Sequence, residues 1–173
     1  MARGDPLAHP EELLRRVYAY VAYRVGDSAE AEDITSETFE RALRYRNTYD
    51  ARKGEPVGWL LGIARNCIYD AHMRPKPTSL HEEPAAPDDP EEQVATRLAL
   101  SQALASLTDG DRDLLALRYG AGLSPREIAA LLDRRTNAVE VALSRAKTRL
   151  GAALEQAEEG TETTPLGLQH RAV

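Results

Sequence analysis

One cysteine stands in 173 residues, and a lone thiol can close no internal disulfide and build no metal site by itself. Aromatic side chains are also scarce, at 5%, with one tryptophan and one phenylalanine. No apolar run approaches the ~18 residues needed to span a bilayer. Met1 to Pro6 lack the apolar core of a signal peptide, so a cytoplasmic protein is predicted. The four histidines, His9, His72, His81 and His170, are scattered without metal-ligand spacing, and there is no glycine-rich phosphate loop. Cys67 lies on an apolar stripe as a core residue. The pattern therefore predicts no enzyme, no metal and no cofactor. A basic surplus is missing too: 22 Lys plus Arg face 28 Asp plus Glu, for a net charge of −6. That argues against a sequence-blind DNA coat.

What is present is 42% hydrophobic and 29% charged residues, enough apolar material for one ordinary domain or two very small ones. The charge is segregated. Residues 1–77 carry 12 basic and 12 acidic groups, whereas 78–96 hold Glu82, Glu83, Asp88, Asp89, Glu91 and Glu92 with no cation. Residues 97–154 are net +3, with nine basic and six acidic groups, and 155–173 are net −3. Pro75, Pro77, Pro84, Pro87 and Pro90 are half of the ten prolines. Their spacing forbids a helix and predicts an extended acidic tether. At ~3.1 Å per residue its reach is roughly 50 Å.

Both flanking segments read as helical. In the first, Leu13, Leu14, Val17, Tyr20 and Val21 keep helical spacing. Asp27-Ser28-Ala29-Glu30 resembles a capping box for a second helix. Ile34, Thr38, Ala42 and Tyr45 line one stripe of that helix, with Phe39 and Leu43 beside it and a polar row of Asp33, Glu37, Arg41 and Arg44. Pro56 suits the first turn of a third helix, with Val57, Leu60, Leu61, Ala64, Cys67 or Ile68, and Ala71 inward. The second segment opens with a helix over about 91–106, with Val94, Leu98, Ala103 and Leu104 apolar. Another follows Thr108 and carries Leu114, Leu115 and Leu117. Ser124-Pro125-Arg126-Glu127 combines an N-cap, a first-position proline and a third-position glutamate. Asp133-Arg134-Arg135 breaks that helix, and a last one buries Val139, Leu143, Ala146 and Leu150. The fold class predicted is all-α, with two small helical domains and a helix-turn-helix in the C-terminal one. The boundaries read as 1–74, a linker 75–90, 91–156, and an acidic tail 157–173 without structure beyond about Glu158.

Three surfaces carry candidate chemistry. The last helix turns Thr136, Asn137, Glu140, Val141, Ser144, Arg145 and Thr148 away from its apolar stripe, where amide, carboxylate and guanidinium groups can read base edges. Arg126, Arg134, Arg135, Lys147 and Arg149 suit phosphates. The same spacing also fits a plain helical hairpin with a wet polar face. In the first half, Tyr45, Arg46, Asn47, Tyr49, Arg52, Lys53 and Trp59 interleave rings with cations, a combination that suits single-stranded nucleic acid. It equally suits rings capping a small core beside solvated cations. The row at Asp33 and Glu37 reads on its own as a solvated helix face.

The order of motifs then becomes recognisable. Ala31-Glu32-Asp33-Ile34-Thr35-Ser36-Glu37-Thr38-Phe39 resembles a conserved block of the bacterial extracytoplasmic-function (ECF) sigma factors of RNA polymerase. Trp59-Leu60-Leu61-Gly62-Ile63-Ala64-Arg65-Asn66, with Asp70 and Arg74, resembles the next block of region 2. Leu123 to Leu150, ending Leu143-Ser144-Arg145-Ala146-Lys147, is similar to region 4. The resemblance covers about residues 10–154 and implies a dissociable subunit of RNA polymerase. Asp33, Glu37, Phe39 and Glu40 would then bind core polymerase. Tyr45, Arg46, Asn47, Tyr49, Arg52, Lys53, Trp59, Arg65, Asn66, Asp70 and Arg74 would hold the opened minus-10 strand. Arg126, Arg134, Arg135, Thr136, Asn137, Glu140, Val141, Ser144, Arg145 and Lys147 would meet the duplex minus-35 element. The linker would thread the RNA-exit path, and an anti-sigma factor is a further partner known in the family. Other readings of the residues are a helix-turn-helix regulator that binds duplex DNA without polymerase, or an all-helical adaptor.

The chain departs from the family where Asp133 stands in place of the frequent glycine and where Arg135 replaces a Ser-like cap. Asp tolerates the turn conformation, and Thr136 is a substitute cap. Glu140 and Ala142 occupy positions that are often basic. Glu140→Lys is therefore predicted to raise non-specific duplex affinity and to steepen its salt dependence by about one unit of log K against log [salt]. A salt titration checks this, and an unchanged slope counts against placing Glu140 in the groove.

Overall fold

In a computed structural model, residues 5–26, 28–74 and 91–162 are described. The tether expected over 75–90 and the tail from 163 lie outside them. Seven α-helices follow in order among the described residues: α1 Pro10–Val25, α2 Ser28–Tyr45, α3 Pro56–Met73, α4 Glu91–Ser106, α5 Asp109–Leu115, α6 Pro125–Leu132 and α7 Thr136–Glu162. A 3₁₀ turn at Arg46–Thr48 and a π-turn at Ala116–Gly120 complete the set.

Local chemistry accounts for most boundaries. Pro10 and Pro56 sit in the first turns of α1 and α3, where a missing N–H costs nothing. Gly26 ends α1 in the left-handed region at φ 74°, its N–H donating to Ala22 O. Arg74 is extended at ψ 140°, as required of a residue before proline. Thr108 caps α5 by accepting from Asp111 N–H. At α6 the capping box forms in full: Glu127 N–H donates to Ser124 Oγ, and Ser124 N–H donates to the Glu127 carboxylate at 2.7 Å. Asp133 closes the helix at φ 52°, ψ 50°. The turn conformation expected of that residue is the one it adopts. Thr136 is the first residue of α7, with Val139 N–H bonding to Arg135 O. Arg135 therefore holds the cap position for which Thr136 was the substitute. Helix α7 runs to Glu162, past the point near Glu158 where order was expected to stop.

In the first half α1, α2 and α3 pack on one another, and in the second half α4, α5 and α6 each pack on α7. Leu13, Val17, Tyr20, Val21, Ile34, Ala42, Leu60, Leu61, Ala64 and Cys67 are buried, as are Val139, Leu143 and Ala146. Four apolar positions go the other way: Leu14, Leu43, Tyr45 and Leu98 are exposed. Each lies at the margin of its stripe, where no neighbouring helix covers it.

The two halves also pack against each other. Helix α1 lies along the π-turn and touches α5, and α3 meets α6. Val17, Tyr20 and Leu60 therefore belong to the same contiguous core as Leu117, Leu123 and Ile128. A smaller cluster of Leu107, Leu115 and Ala146 stays within the second half. Gly120 permits the close approach, since a Cβ there would lie 2.9 Å from Ala19 O and 3.0 Å from Tyr20 Cα.

Replacing Ser124 by Ala removes the α6 N-cap and is predicted to cost about 1 kcal/mol. The melting temperature of a chain this size should fall by roughly 2–4 °C, as measured by circular dichroism.

Candidate nucleic-acid interface

Helix α6, the turn at Asp133 and α7 form the predicted helix-turn-helix. Ile128 and Ala129 are buried on α6, and Val139, Leu143 and Ala146 anchor α7. Arg126, Arg134, Arg135, Thr136, Asn137, Glu140, Val141, Ser144, Arg145 and Lys147 are all exposed. They form an open face, with Val141 as an apolar contact at its centre. Arg149 behaves differently. Its guanidinium reaches both carboxylate oxygens of the buried Asp111, at 2.7 and 2.9 Å, so it ties α7 to α5 instead of waiting for a phosphate.

The loop before α3 is built around one ring pair. Tyr49 and Trp59 pack with centroids 5.6 Å apart, tilted by 57°. The Tyr49 hydroxyl donates to Gly54 O at 3.0 Å, and burial pushes that phenol above its usual pKa. Arg52 folds back on Asp50 with two hydrogen bonds, 2.7 and 2.9 Å. They hold the Asp50 carboxyl far below its usual range. Tyr45, Arg46, Asn47 and Lys53 are exposed around this turn. Tyr49 thus supports the loop from beneath, while Trp59, partly open, lines a cavity with Leu123, Glu127, Ala130 and Leu131 of the second half.

Farther along α3, Asn66 is exposed, whereas Arg65, Asp70 and Arg74 are engaged. Arg41 on α2 hydrogen-bonds both Glu37 and Asp70, the latter at 2.7 Å, and these acceptors raise its pKa despite the opposing cost of desolvation. Arg74 joins Glu37 at 3.4 Å. The row Arg74–Glu37–Arg41–Asp70 is therefore a ladder across α2 and α3, joining one residue expected to bind polymerase, Glu37, with two expected to bind DNA, Asp70 and Arg74. Asp33 and Glu40 stay free to solvent on α2, and Phe39 leans onto the core. Arg65 is held by Asp113 of α5 at 3.2 Å.

Residues 11–76 match the family model for sigma-70 region 2, and residues 97–150 match that for sigma-70 region 4. The chain belongs to the ECF family of RNA polymerase sigma factors. It is 33% identical over 147 residues to the ECF sigma factor BldN of Streptomyces coelicolor, across 80% of this chain and 56% of that protein. With SigK of Mycobacterium ulcerans it shares 32% identity over 167 residues, across 89% and 86% of the two chains. It therefore spans little more than half of BldN but most of SigK. Among solved structures it shares the fold of the sigma factor RpoE from Bartonella quintana, in complex with the anti-sigma factor NepR. That match has a TM-score of 0.64 and 21% identity, over 83% of this chain and 92% of the other.

Periodicity and motif order placed the helix-turn-helix face of this ECF sigma factor and the loop around Tyr49. They missed Arg41, which read as one charge in a wet row, and Tyr20, Arg24 and Asp113, whose partners lie across the chain. Tyr20 sits on the apolar stripe of α1, and nothing in that stripe signals that its hydroxyl is used. Among the described residues no helix is long and apolar enough to cross a membrane.

Tyr49→Phe deletes the bond to Gly54 and should free the loop locally. Amide exchange at Lys53–Glu55 is predicted to quicken by about fivefold, the equivalent of ~1 kcal/mol, with the global melting temperature little changed.

Proposed function

We propose that this ECF sigma factor binds core RNA polymerase, directs it to particular promoters and helps hold the opened minus-10 strand. The observation that carries the reading is the open α7 face, with Asn137, Val141, Ser144 and Arg145 aligned opposite a buried Val139–Leu143–Ala146 stripe. In the major groove such a face offers amide and guanidinium donors, a hydroxyl and an apolar contact to base edges. Glu140 adds an acceptor suited to cytosine.

Region 2 would extend to residue 74 and region 4 from 91 to 156, with 75–90 as the tether. Asp33, Glu37 and Glu40 supply an acidic helix face for the polymerase, with Phe39 fixing the helix from behind. Tyr45, Arg46, Asn47, Arg52, Lys53 and Trp59 supply rings and cations for a single strand, and Asn66 extends that surface along α3. Asp70 and Arg74 position α3 through Arg41 and Glu37. The role is one of binding, in the cytoplasm, without catalysis or cofactor. A cognate anti-sigma factor fits this assignment, since RpoE is found with such a partner, NepR. The modest surplus of +3 over residues 97–154 favours a protein that binds promoters weakly alone and gains affinity through polymerase.

Pull-down with core polymerase followed by run-off transcription tests the assignment. The chain should bind core and start transcripts, whereas a simple regulator would bind duplex DNA and start none. Trp59→Ala should lower initiation by about tenfold, the scale of one lost base stack, while core binding persists.

A further inference from the structure

The seam between the two halves opens, at the end of α1, into a cavity of about 530 Å³. Its wall is shared. Ala22 and Arg24 come from α1, Arg97, Leu100 and Leu104 from α4, and Arg112 from α5. Three of these are guanidiniums, and among the described residues no carboxylate lines the space. Asp109 and Asp113 hold Arg24 from its other side and belong to the neighbouring cavity with Tyr20 and Arg65. Ala22, Leu100 and Leu104 supply apolar wall beside the cations. In a chain whose net charge is −6, a wall with three cations and no acid is a local departure that packing alone does not require.

Two of the arginines are fixed in place. Arg24 is 8% exposed and Arg112 half-buried, while Arg97 is exposed. Arg24 Nη1 donates to the Asp109 carboxylate at 3.2 Å, and Arg112 Nη2 donates to Ala105 O and Leu107 O at 3.3 and 3.2 Å. Those bonds leave the Nε of both side chains buried without a hydrogen-bond partner. Arg24 Nε lies 3.4 Å from Asp113 Oδ1 and makes no hydrogen bond there. Buried guanidinium N–H groups are nearly always matched by acceptors, and here the deficit falls twice on one wall. Negative charge placed in the cavity offsets it.

We propose that this cavity binds an amphipathic organic anion, with a phosphate or carboxylate head among Arg24, Arg97 and Arg112 and an apolar body along Ala22, Leu100 and Leu104. Small-ligand sites have this form: several hundred Å³, mostly apolar walls and a few convergent polar groups. Guanidinium suits either head, since its fork matches both carboxylate and phosphate oxygens. The apolar wall selects against a bare ion, and the cations select against a neutral chain. Because α1, α4 and α5 all line the site, a bound anion stabilises the folded chain as a whole. None of the residues proposed to meet polymerase or DNA lines it, so the site stands apart from the sigma-factor reading.

Isothermal titration calorimetry of the full-length chain with octyl phosphate and octanoate tests this, with inorganic phosphate and 1-octanol as head-only and tail-only controls. At least one amphipathic anion should bind with a Kd of about 1 mM or tighter, and the tighter of the two identifies the head. Each control should bind at least about tenfold more weakly. Amide NMR shifts of Ala22, Leu100 and Leu104 should move during the titration. Ser101 lines the cavity and is exposed, so Ser101→Glu sets a carboxylate in the wall without disturbing the core. Ser101→Glu and Arg97→Gln should each weaken binding at least about tenfold, with helix content unchanged. At ten times its Kd the anion should raise the wild-type melting temperature by roughly 2–4 °C. Equal binding of 1-octanol overturns the proposal, since the groove is then merely apolar. Equal binding of inorganic phosphate overturns it as an adventitious ion only. So do binding that survives both substitutions and a chain that takes up neither anion.

Discussion

The backbone contact between Gly120 and the Ala19–Tyr20 segment sets the relation of every functional surface in this chain. With no Cβ at Gly120, helix α1 can settle against the π-turn, and Tyr20 then reaches Asp113. Once that hydrogen bond is in place, Arg24 and Arg65 gather on the same carboxylate. The apolar side chains of the two halves merge into one core. The exposure of Trp59, the engagement of Arg65 and the shape of the cavity beside α6 all follow from that approach.

The exposed polar face of α7 in region 4 lies outside this contact. The residues that anchor α6 and α7 point one way, and the polar face of α7 points the other. That polar face is therefore open in the same arrangement that covers part of region 2. Its precision comes from short-range devices: the capping box at Ser124 and Glu127, and the left-handed turn at Asp133. The pair between Arg149 and Asp111 then fixes α7 on α5. A charge that looks available for phosphate along the sequence is in fact part of the framework.

Region 2 uses charge in a similar way. Arg41 lies between Glu37 and Asp70 and locks α2 to α3, so a residue proposed to meet polymerase and one proposed to meet DNA belong to one ladder. A disturbance of one surface can therefore be felt at the other. Asp33 and Glu40 have no part in that ladder and are exposed on α2.

Helical periodicity, proline and glycine placement, caps and motif order were enough to read seven helices, the helix-turn-helix and the sigma-factor family from the residues alone. All of these are encoded within a turn or two of chain, where spacing and backbone preference dominate. The net charge of −6 was legible in the same local way, as acidity carried by 78–96 and 155–173 around a positive region 4. The seam was not legible. Tyr20 and Asp113 are 93 residues apart, Tyr20 reads as an ordinary core aromatic, and Asp113 reads as one more acid on a short helix. The exposure of Leu14, Leu43, Tyr45 and Leu98, the commitment of Arg149 and the ladder at Arg41 were hidden for the same reason. A side chain's local pattern states which face of a helix it occupies, but only the packing of the other helices determines whether that face meets solvent, a counter-charge or a core.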